Sequence, residues 1–303
     1  MSFDKVKHQK GAVRALRAAV GSDRMPHAFL FAGPRGVGKG LAARELAKVL
    51  LCETPRDAGP DGHDSCGACS CCERVERGTH PDVYWFRKEP DRNDFRLALV
   101  TRRPNETPAW LTFTVTESAA LMPMEADRTV TVVDDAELLN QNAANALLKS
   151  LEEPARHAVL ILLCADASRL PGTILSRCQW VRFRPLPDAF VAERVRALRT
   201  PEDGAVSDAE VAYASRFAGG SIERARALVG SGLWDLKRAV VPLLAEMEES
   251  AALDIAERIA AWSRQRAKAD GVTGESREET ALRREAAGTA AAAGAPGRRR
   301  CSP

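Results

Sequence analysis

The segment most informative about the fold covers residues 28–47: Ala28-Phe29-Leu30-Phe31-Ala32, then Gly33-Pro34-Arg35-Gly36-Val37-Gly38-Lys39-Gly40, then Leu41-Ala42-Ala43-Arg44-Glu45-Leu46-Ala47. The apolar run at its start predicts a buried strand, and the helix-forming residues at its end predict a helix. Glycines between a strand and a helix let backbone N–H groups converge on a phosphate, as they do in a P-loop. A simple glycine-rich turn before a helix is the alternative interpretation.

The glycine-rich loop fits the P-loop pattern G-x-x-x-x-G-K-[ST] at every position except the last. The predicted nucleotide-binding residues in this loop are Gly33, Gly36, Gly38, Lys39 and Gly40. Gly40 stands where a Ser or Thr hydroxyl would bind Mg²⁺. Lys39 and the backbone amides are still able to hold the phosphates of ATP or ADP, but without that metal ligand.

A second apolar strand, Val130-Thr131-Val132-Val133, ends on two aspartates. Carboxylates at the carboxyl end of such a strand are where P-loop NTPases hold Mg²⁺ and orient the attacking water. Asp134 matches the metal-binding acid. Asp135 stands where a water-activating Glu is usual, and its carboxylate is one methylene shorter. An acidic cluster that caps the following helix is the alternative, and both roles are compatible.

Composition limits the class of protein. A chain of 303 residues is long enough for two or three domains with a sizeable core. Its 44 basic and 41 acidic residues give a formal charge of +3, so any nucleic-acid contact is expected to be local. The sequence contains neither a signal-like segment nor a run of about 20 apolar residues. We therefore expect a cytoplasmic protein without a membrane partner.

Four cysteines have the spacing of a metal site. Cys52, Cys66, Cys69 and Cys72 form C-x13-C-x2-C-x2-C, and C-x2-C turns direct two thiolates at one ion. We expect them to bind a structural Zn²⁺, because four protein thiolates leave no open coordination position. Free surface thiols are the alternative. Cys71 falls outside the two-residue spacing and is predicted to be spare.

Apolar strands alternate with helices as far as residue 183, a pattern that predicts an α/β fold with a parallel sheet covered on both faces. The expected domains are a nucleotide-binding domain over 1–185 with the zinc insert at 52–72, a helical lid over 186–231, a helical region over 232–285, and a disordered tail over 286–303. Residues 87–127 are hard to interpret: the alternation of Thr112-Phe113-Thr114-Val115 is typical of an exposed strand, whereas the charges and prolines around it favour loop.

Several segments in a fixed order resemble the bacterial DNA polymerase III clamp loader, an AAA+ family. They are the P-loop, the cysteine insert, Thr79-His80-Pro81-Asp82, Asn142-Ala143-Ala144-Asn145-Ala146-Leu147-Leu148-Lys149-Ser150-Leu151-Glu152-Glu153-Pro154 and Ser176-Arg177-Cys178. The resemblance covers roughly residues 1–230, and it implies an AAA+ nucleotide domain followed by a lid and a helical collar. The implied partners are the delta and tau/gamma subunits, and, through the assembled complex, the sliding clamp and primed DNA at the bacterial replisome.

The same family contains ATP-hydrolysing tau/gamma motors and a stator subunit, and three departures from the motor pattern favour the stator. Gly40 lacks the Mg²⁺-binding hydroxyl, and Cys164-Ala165 replaces threonines that sense the γ-phosphate. Glu223 stands at the sensor arginine position, although a one-residue misalignment would bring Arg224 there.

The resemblance also implies that Arg177 acts as an arginine finger on the ATP of a neighbouring subunit, and that this chain has little ATPase activity of its own. A surface arginine paired with a nearby carboxylate is the alternative for Arg177. Two other functions stay open, namely an ATP-hydrolysing motor of the same family and a zinc-binding P-loop protein that acts outside replication.

Overall fold

A computed structural model describes residues 3–22, 24–57, 63–89, 92–199, 206–246 and 249–269. The expected tail over 286–303 lies outside the described residues. The chain divides into two compact units, Met1–Val229 and Gly230–Pro303. Among the described residues, no helix combines the length and the apolar character that crossing a membrane requires.

The first unit is built on a parallel sheet. Its strands are β1 (Ala28–Ala32), β2 (Arg56–Asp57), β3 (His63–Asp64), β4 (Val83–Phe86), β5 (Thr129–Val133), β6 (Ala158–Cys164) and β7 (Gln179–Arg182). Five of them form one sheet in the order β4-β5-β6-β1-β7, with every neighbouring pair parallel. The strands β2 and β3 form a small antiparallel pair inside the cysteine insert. The predicted α/β fold class with a parallel sheet is confirmed.

The α-helices connect these strands and then continue alone. In the first unit they are α1 (Lys10–Val20), α2 (Lys39–Leu51), α3 (Ser70–Arg77), α4 (Leu97–Val100), α5 (Val115–Ser118), α6 (Gln141–Glu152), α7 (Gly172–Leu175), α8 (Asp188–Ala197), α9 (Asp208–Phe217) and α10 (Ile222–Leu228). The second unit contains α11 (Leu233–Glu246) and α12 (Glu249–Ala269). Past β7 the described chain is therefore helical.

Both faces of the sheet are buried because its strands are apolar at successive positions. Phe29 and Phe31 of β1 belong to one core cluster, whereas Leu30 belongs to the cluster on the other face. All seven residues of β6 are buried, as expected for a central strand with helices on both sides. The sheet is thus a rigid base whose carboxyl edge carries the P-loop and the two aspartates.

The strand suggested for residues 112–115 is wrong. Thr114 instead caps α5: its side chain accepts a hydrogen bond from the Glu117 N–H, and the Glu117 carboxylate accepts one from the Thr114 N–H. This reciprocal capping box satisfies two backbone donors that would otherwise lack partners. The β-branched residues that imitate a strand therefore mark the start of a short helix.

Candidate functional site

The glycine-rich stretch forms the loop between β1 and α2, and three of its glycines, Gly33, Gly36 and Gly38, have a positive φ. Gly36 has φ +71°, and a Cβ atom there would lie 2.5 Å from the Ser221 hydroxyl. Gly38 has φ +100° and occupies the N-cap of α2. The first N–H groups of a helix have no acceptor within it, so this end of α2 can accept a phosphate.

Lys39 is almost fully buried, and its ammonium group is hydrogen-bonded within the P-loop. Its Nζ donates to the carbonyl oxygens of Gly33 and Pro34 over 2.6 and 2.8 Å. Burial lowers the pKa of Lys39, while the nearby acids Glu137 and Asp134 oppose that shift. Two of the three N–H donors of this ammonium group are thus used within the loop, and one is left for a nucleotide phosphate.

Both predicted acids lie at the carboxyl end of β5, and each is paired with an arginine. Arg35 Nη2 lies 2.6 Å from Asp135 Oδ1, and Arg87 Nε lies 3.3 Å from Asp134 Oδ2. Asp135 has φ +54°, which is uncommon for a residue with a side chain. Burial raises its pKa, and Arg35 opposes that rise. Arginines thus occupy carboxylates that a P-loop NTPase would use for Mg²⁺ and water.

Glu137 is a third acid of this site, which the sequence reasoning did not select. It is buried, its Oε2 accepts a hydrogen bond from the Ala165 N–H over 3.0 Å, and its Oε1 lies 3.6 Å from Arg35. The run Asp134-Asp135-Ala136-Glu137 was the available signal. The Cys164 thiol lies nearby, and burial raises its pKa to about 12, so this residue stays a neutral, weak hydrogen-bonding group.

A cavity of about 900 Å³ lies between the P-loop and the helices that follow the sheet. Helix α10 reaches the loop directly, because the Ile222 N–H donates to the Gly36 carbonyl oxygen over 3.2 Å. Glu223 lines the cavity, as its place in the sequence suggested. Arg224 is not among the lining residues, and its guanidinium lies over the Phe217 ring, 5.8 Å from the ring centre. Arg226 lines the cavity and was missed by the sequence reasoning.

The four predicted zinc ligands lie together. The sulfur atoms of Cys52, Cys66, Cys69 and Cys72 are all within 4.8 Å of one another. The Cys52–Cys69 and Cys66–Cys72 sulfur distances are 3.9 and 4.0 Å, whereas a tetrahedral zinc site with Zn–S bonds of about 2.3 Å has sulfurs about 3.8 Å apart. This donor set fits a structural zinc ion.

Hydrogen bonds to sulfur favour the thiolate form at one of these ligands. The Cys69 and Ala68 N–H groups donate to Cys66 Sγ over 3.2 and 3.4 Å. Together with a bond to Thr54, which contributes most, they lower the pKa of Cys66 to about 6. The short α3 begins within the cluster, because the Cys69 sulfur accepts a hydrogen bond from the Cys72 N–H at the start of that helix.

Cys71 lies beside the four-cysteine cluster, but its hydrogen-bond partners lie outside that cluster. Its Sγ lies 3.1 Å from Glu53 Oε1 and 3.2 Å from His80 Nε2. The other ring nitrogen of His80 accepts a hydrogen bond from the Asp82 N–H over 3.1 Å. His80 therefore connects the insert to the turn before β4, and the turn itself closes with a Val83 N–H to His80 carbonyl bond.

Arg177 follows α7, away from the residues that line the cavity. Its Nη2 lies 2.8 Å from Glu152 Oε1, and its Nη1 donates to the Thr173 carbonyl oxygen over 2.9 Å. About a third of the side chain, 35%, is exposed. The carboxylate partner foreseen by the alternative interpretation is present, and the exposed guanidinium that a finger needs is present too. The finger role stays a prediction.

Comparisons of the sequence with known proteins point to one family. Residues 8–187 match the family described as DNA polymerase III, delta subunit. The delta-prime subunit of Pseudomonas aeruginosa DNA polymerase III is 37% identical over 71% of this chain, and the Salmonella typhimurium tau subunit is 30% identical over 85%. A solved DNA polymerase III gamma-subunit-related protein of Thermotoga maritima matches with TM-score 0.41 and 16% identity over 89% of this chain and 76% of that chain. The chain spans 59% and 38% of the length of the two curated relatives.

Proposed function

Because the chain belongs to the DNA polymerase III delta subunit family, we propose that it is a delta-prime-type subunit of a clamp loader. In this role it is the stator of the complex, binds the delta and tau/gamma subunits, and helps load the sliding clamp on primed DNA. Delta-prime relatives from Pseudomonas aeruginosa, Bacillus subtilis and Escherichia coli, 31–37% identical to this chain, support the proposal.

The observation that carries the proposal is the state of the acids beside the P-loop. Asp134 and Asp135 are paired with Arg87 and Arg35, and Gly40 offers no hydroxyl. Mg²⁺ at Asp134 would compete with Arg87, the attacking water at Asp135 would compete with Arg35, and the metal would still lack one usual ligand. A site of this kind supports nucleotide binding at most, and not a hydrolytic cycle of its own.

Arg177 is the residue we propose to act on another subunit. In phosphoryl transfer, charge accumulates on the oxygens of the γ-phosphoryl group, and an arginine supplied in trans accelerates the reaction about 10³- to 10⁵-fold. The partly exposed guanidinium is held in place by Glu152 and the Thr173 carbonyl oxygen. It has to exchange the Glu152 carboxylate for the phosphate of the neighbour.

The four-cysteine cluster is proposed to hold zinc as a structural ion that stiffens the insert. Its four thiolates would complete the coordination shell, so no water or substrate position is left. The expected division into domains over 1–185, 186–231 and 232–285 is likewise kept as a proposal. The helices α11 and α12 are the candidate collar.

Steady-state ATP turnover tests the proposal. The measurement compares this chain alone with a loader reconstituted from delta, tau/gamma and this chain, in the presence of clamp and primed DNA. We expect the isolated chain to be inactive and Arg177→Ala to slow the assembled loader by orders of magnitude without preventing assembly. Arg169→Ala is a matched control, because Arg169 is an exposed arginine eight positions earlier. Equal turnover with Arg177→Ala and Arg169→Ala would contradict the finger role.

An ATP-hydrolysing motor is the second candidate, because the Salmonella typhimurium tau subunit matches over 85% of this chain. A motor must turn over ATP in a Mg²⁺-dependent manner through Lys39, Asp134 and Asp135. Turnover by the isolated chain that Lys39→Ala abolishes would support the motor and exclude the stator.

A further inference from the structure

A groove beside the edge strand β4 combines aromatic rings with positive charge. Its lining includes Arg44 of α2, Trp85 of β4, the following Arg87 and Lys88, and Trp110 from the segment between α4 and α5. These five residues define what we name the tryptophan groove. Its volume of about 440 Å³ falls in the usual range of ligand sites, about 300–1,000 Å³.

The two rings of this groove differ, because Arg87 lies 5.6 Å from the centre of the Trp85 ring whereas Trp110 is largely uncovered. Trp110 is 66% exposed, although it is one of the largest apolar side chains. The Trp85 indole N–H is buried and has no acceptor in the described part of the chain. Buried donors are nearly always satisfied in folded proteins. The tryptophan groove therefore has the features of a surface that is completed by a ligand.

The charges around the rings point to an anionic ligand. Arg87 is paired with Asp134, and Glu89, the acidic residue of the lining, is paired with Arg96 over 2.7 Å. Within the ranges that the structure describes, Arg44 and Lys88 have no carboxylate partner. Lys88 Nζ donates only to backbone carbonyl oxygens, those of Glu89 and Arg92. Asp135 acts on Lys88 at longer range, but neither cation is neutralised by a direct ion pair beside the exposed aromatic ring.

We propose that the tryptophan groove binds single-stranded nucleic acid, with a base stacked on Trp110 and backbone phosphates against Arg44 and Lys88. Sites for single strands combine stacking rings with a positive track along the backbone. The bases of a duplex are already stacked on one another and offer no free face to Trp110. A neutral peptide would use the apolar walls but would leave both cations without a partner. The near-zero net charge of the whole chain agrees with a local site, since attraction over the whole surface is weak.

The proposal concerns direct binding by this chain, and it does not depend on the roles given to Arg177 or to the P-loop. Strand binding is measured on the chain alone and without nucleotide, so a negative result there would not affect the clamp-loader proposal, and a negative result for the clamp-loader proposal would not affect strand binding. Trp110 is exposed and outside both hydrophobic core clusters, so its replacement is not expected to unfold the protein.

Fluorescence anisotropy with a labelled oligothymidylate of about 20 nucleotides tests the stacking contact. Base stacking on an aromatic ring accounts for about 5- to 150-fold in affinity when the ring is removed. We expect Trp110→Ala to weaken binding within that range and Trp110→Phe to restore most of it. Phe217→Ala is the matched control, because Phe217 is also exposed, at 51%, but belongs to α9, and it should leave the affinity unchanged. An abasic strand of equal length should bind weakly and should not distinguish Trp110→Ala from the unaltered chain.

The salt dependence of binding tests the charged contact. Each phosphate contact to a single strand contributes about 0.7 to the slope of log K against log salt. Arg44→Ala should therefore reduce the slope by about 0.7, whereas Arg216→Ala, which removes an exposed arginine of α9, should not change it.

Three results would overturn the proposal. The first is unchanged oligothymidylate affinity in Trp110→Ala with circular dichroism showing a folded chain. The second is equal affinity for the abasic strand. The third is loss of assembly with other subunits in Trp110→Ala while strand binding is retained, which would make the tryptophan groove a protein interface.

Discussion

Replacement of Gly36 by alanine should expose how firmly the P-loop is fixed against α10. A Cβ atom at residue 36 would lie 2.5 Å from the Ser221 hydroxyl and 2.8 Å from the Glu223 backbone nitrogen. The second neighbour is backbone and cannot rotate away. Either the loop or the start of α10 must shift, so the substitution should loosen this contact as well as strain the loop.

The size of the effect follows from two contributions. The φ of +71° at Gly36 places an alanine in the left-handed region, which is unfavourable by about 1–2 kcal/mol. Overpacking against fixed neighbours adds about 1–3 kcal/mol. Gly36→Ala should therefore lower the free energy of unfolding by about 2–5 kcal/mol, a large part of the 5–15 kcal/mol typical of a folded protein.

Gly38 separates these two contributions to the free energy of unfolding, and Gly11 serves as a control without either of them. Gly38 has φ +100° but no atom within 4 Å of the position that a Cβ would take, so Gly38→Ala should show the backbone contribution alone. Gly11 lies in α1 with open space around it, and Gly11→Ala should stabilise by about 0.5–1 kcal/mol. Urea unfolding followed by tryptophan fluorescence measures all three variants. Equal destabilisation by Gly36→Ala and Gly38→Ala would refute the proposed contact between P-loop and α10.

Three further predictions concern acid stability, zinc and the P-loop. The Arg102 guanidinium lowers the pKa of Glu117 from 4.5 to about 2, so the ionised Glu117 stabilises the fold fully above pH 4.5 and progressively less as the pH falls toward 2. Glu117→Gln should flatten this part of a stability–pH profile. An unchanged profile would show that the Arg102–Glu117 pair does not contribute to stability. Purified protein should contain one zinc per chain by elemental analysis, and Cys66→Ser with Cys69→Ser should remove it, whereas a retained ion would exclude the four-thiolate site. A Cβ atom at residue 40 would make only ordinary contacts, the nearest with Trp85 Cζ2 at 3.7 Å, so Gly40→Ser can restore the hydroxyl. Mg²⁺-dependent ATP turnover should still not appear, because Asp134 and Asp135 stay paired with arginines. A gain in turnover would show that the hydroxyl alone was missing.

The parallel sheet was predictable because each strand is a short apolar run between turn and helix signals. β6, whose residues are all buried, is an example. The P-loop and the cysteine cluster were predictable for a related reason, since their residues are close together in the chain and their spacing carries the chemistry. The geometry of the four clustered cysteines agrees with that spacing.

Long-range ion pairs could not be predicted from spacing. Arg87 and Asp134 are far apart in the chain and meet only because β4 and β5 are parallel neighbours. The hydrogen bonds of Asp82 could not be predicted from spacing either. Asp82 is buried before β4 and accepts hydrogen bonds from the distant N–H groups of Met124, Glu125 and Ala126. Although burial opposes it, these bonds lower the pKa of Asp82. A single carboxylate thus organises part of residues 87–127, where no periodic pattern exists.

Single-turnover hydrolysis in a reconstituted loader would show whether this chain contributes an arginine to the ATP site of a neighbour. Nucleotide is bound first, and hydrolysis is started with clamp and primed DNA, so that assembly and binding are separated from chemistry. We expect Arg177→Ala to lower the rate of the chemical step about 10³-fold or more, Arg177→Lys to rescue little of it, and nucleotide affinity to change far less. An unchanged single-turnover rate in an assembled Arg177→Ala loader would exclude the finger role of Arg177.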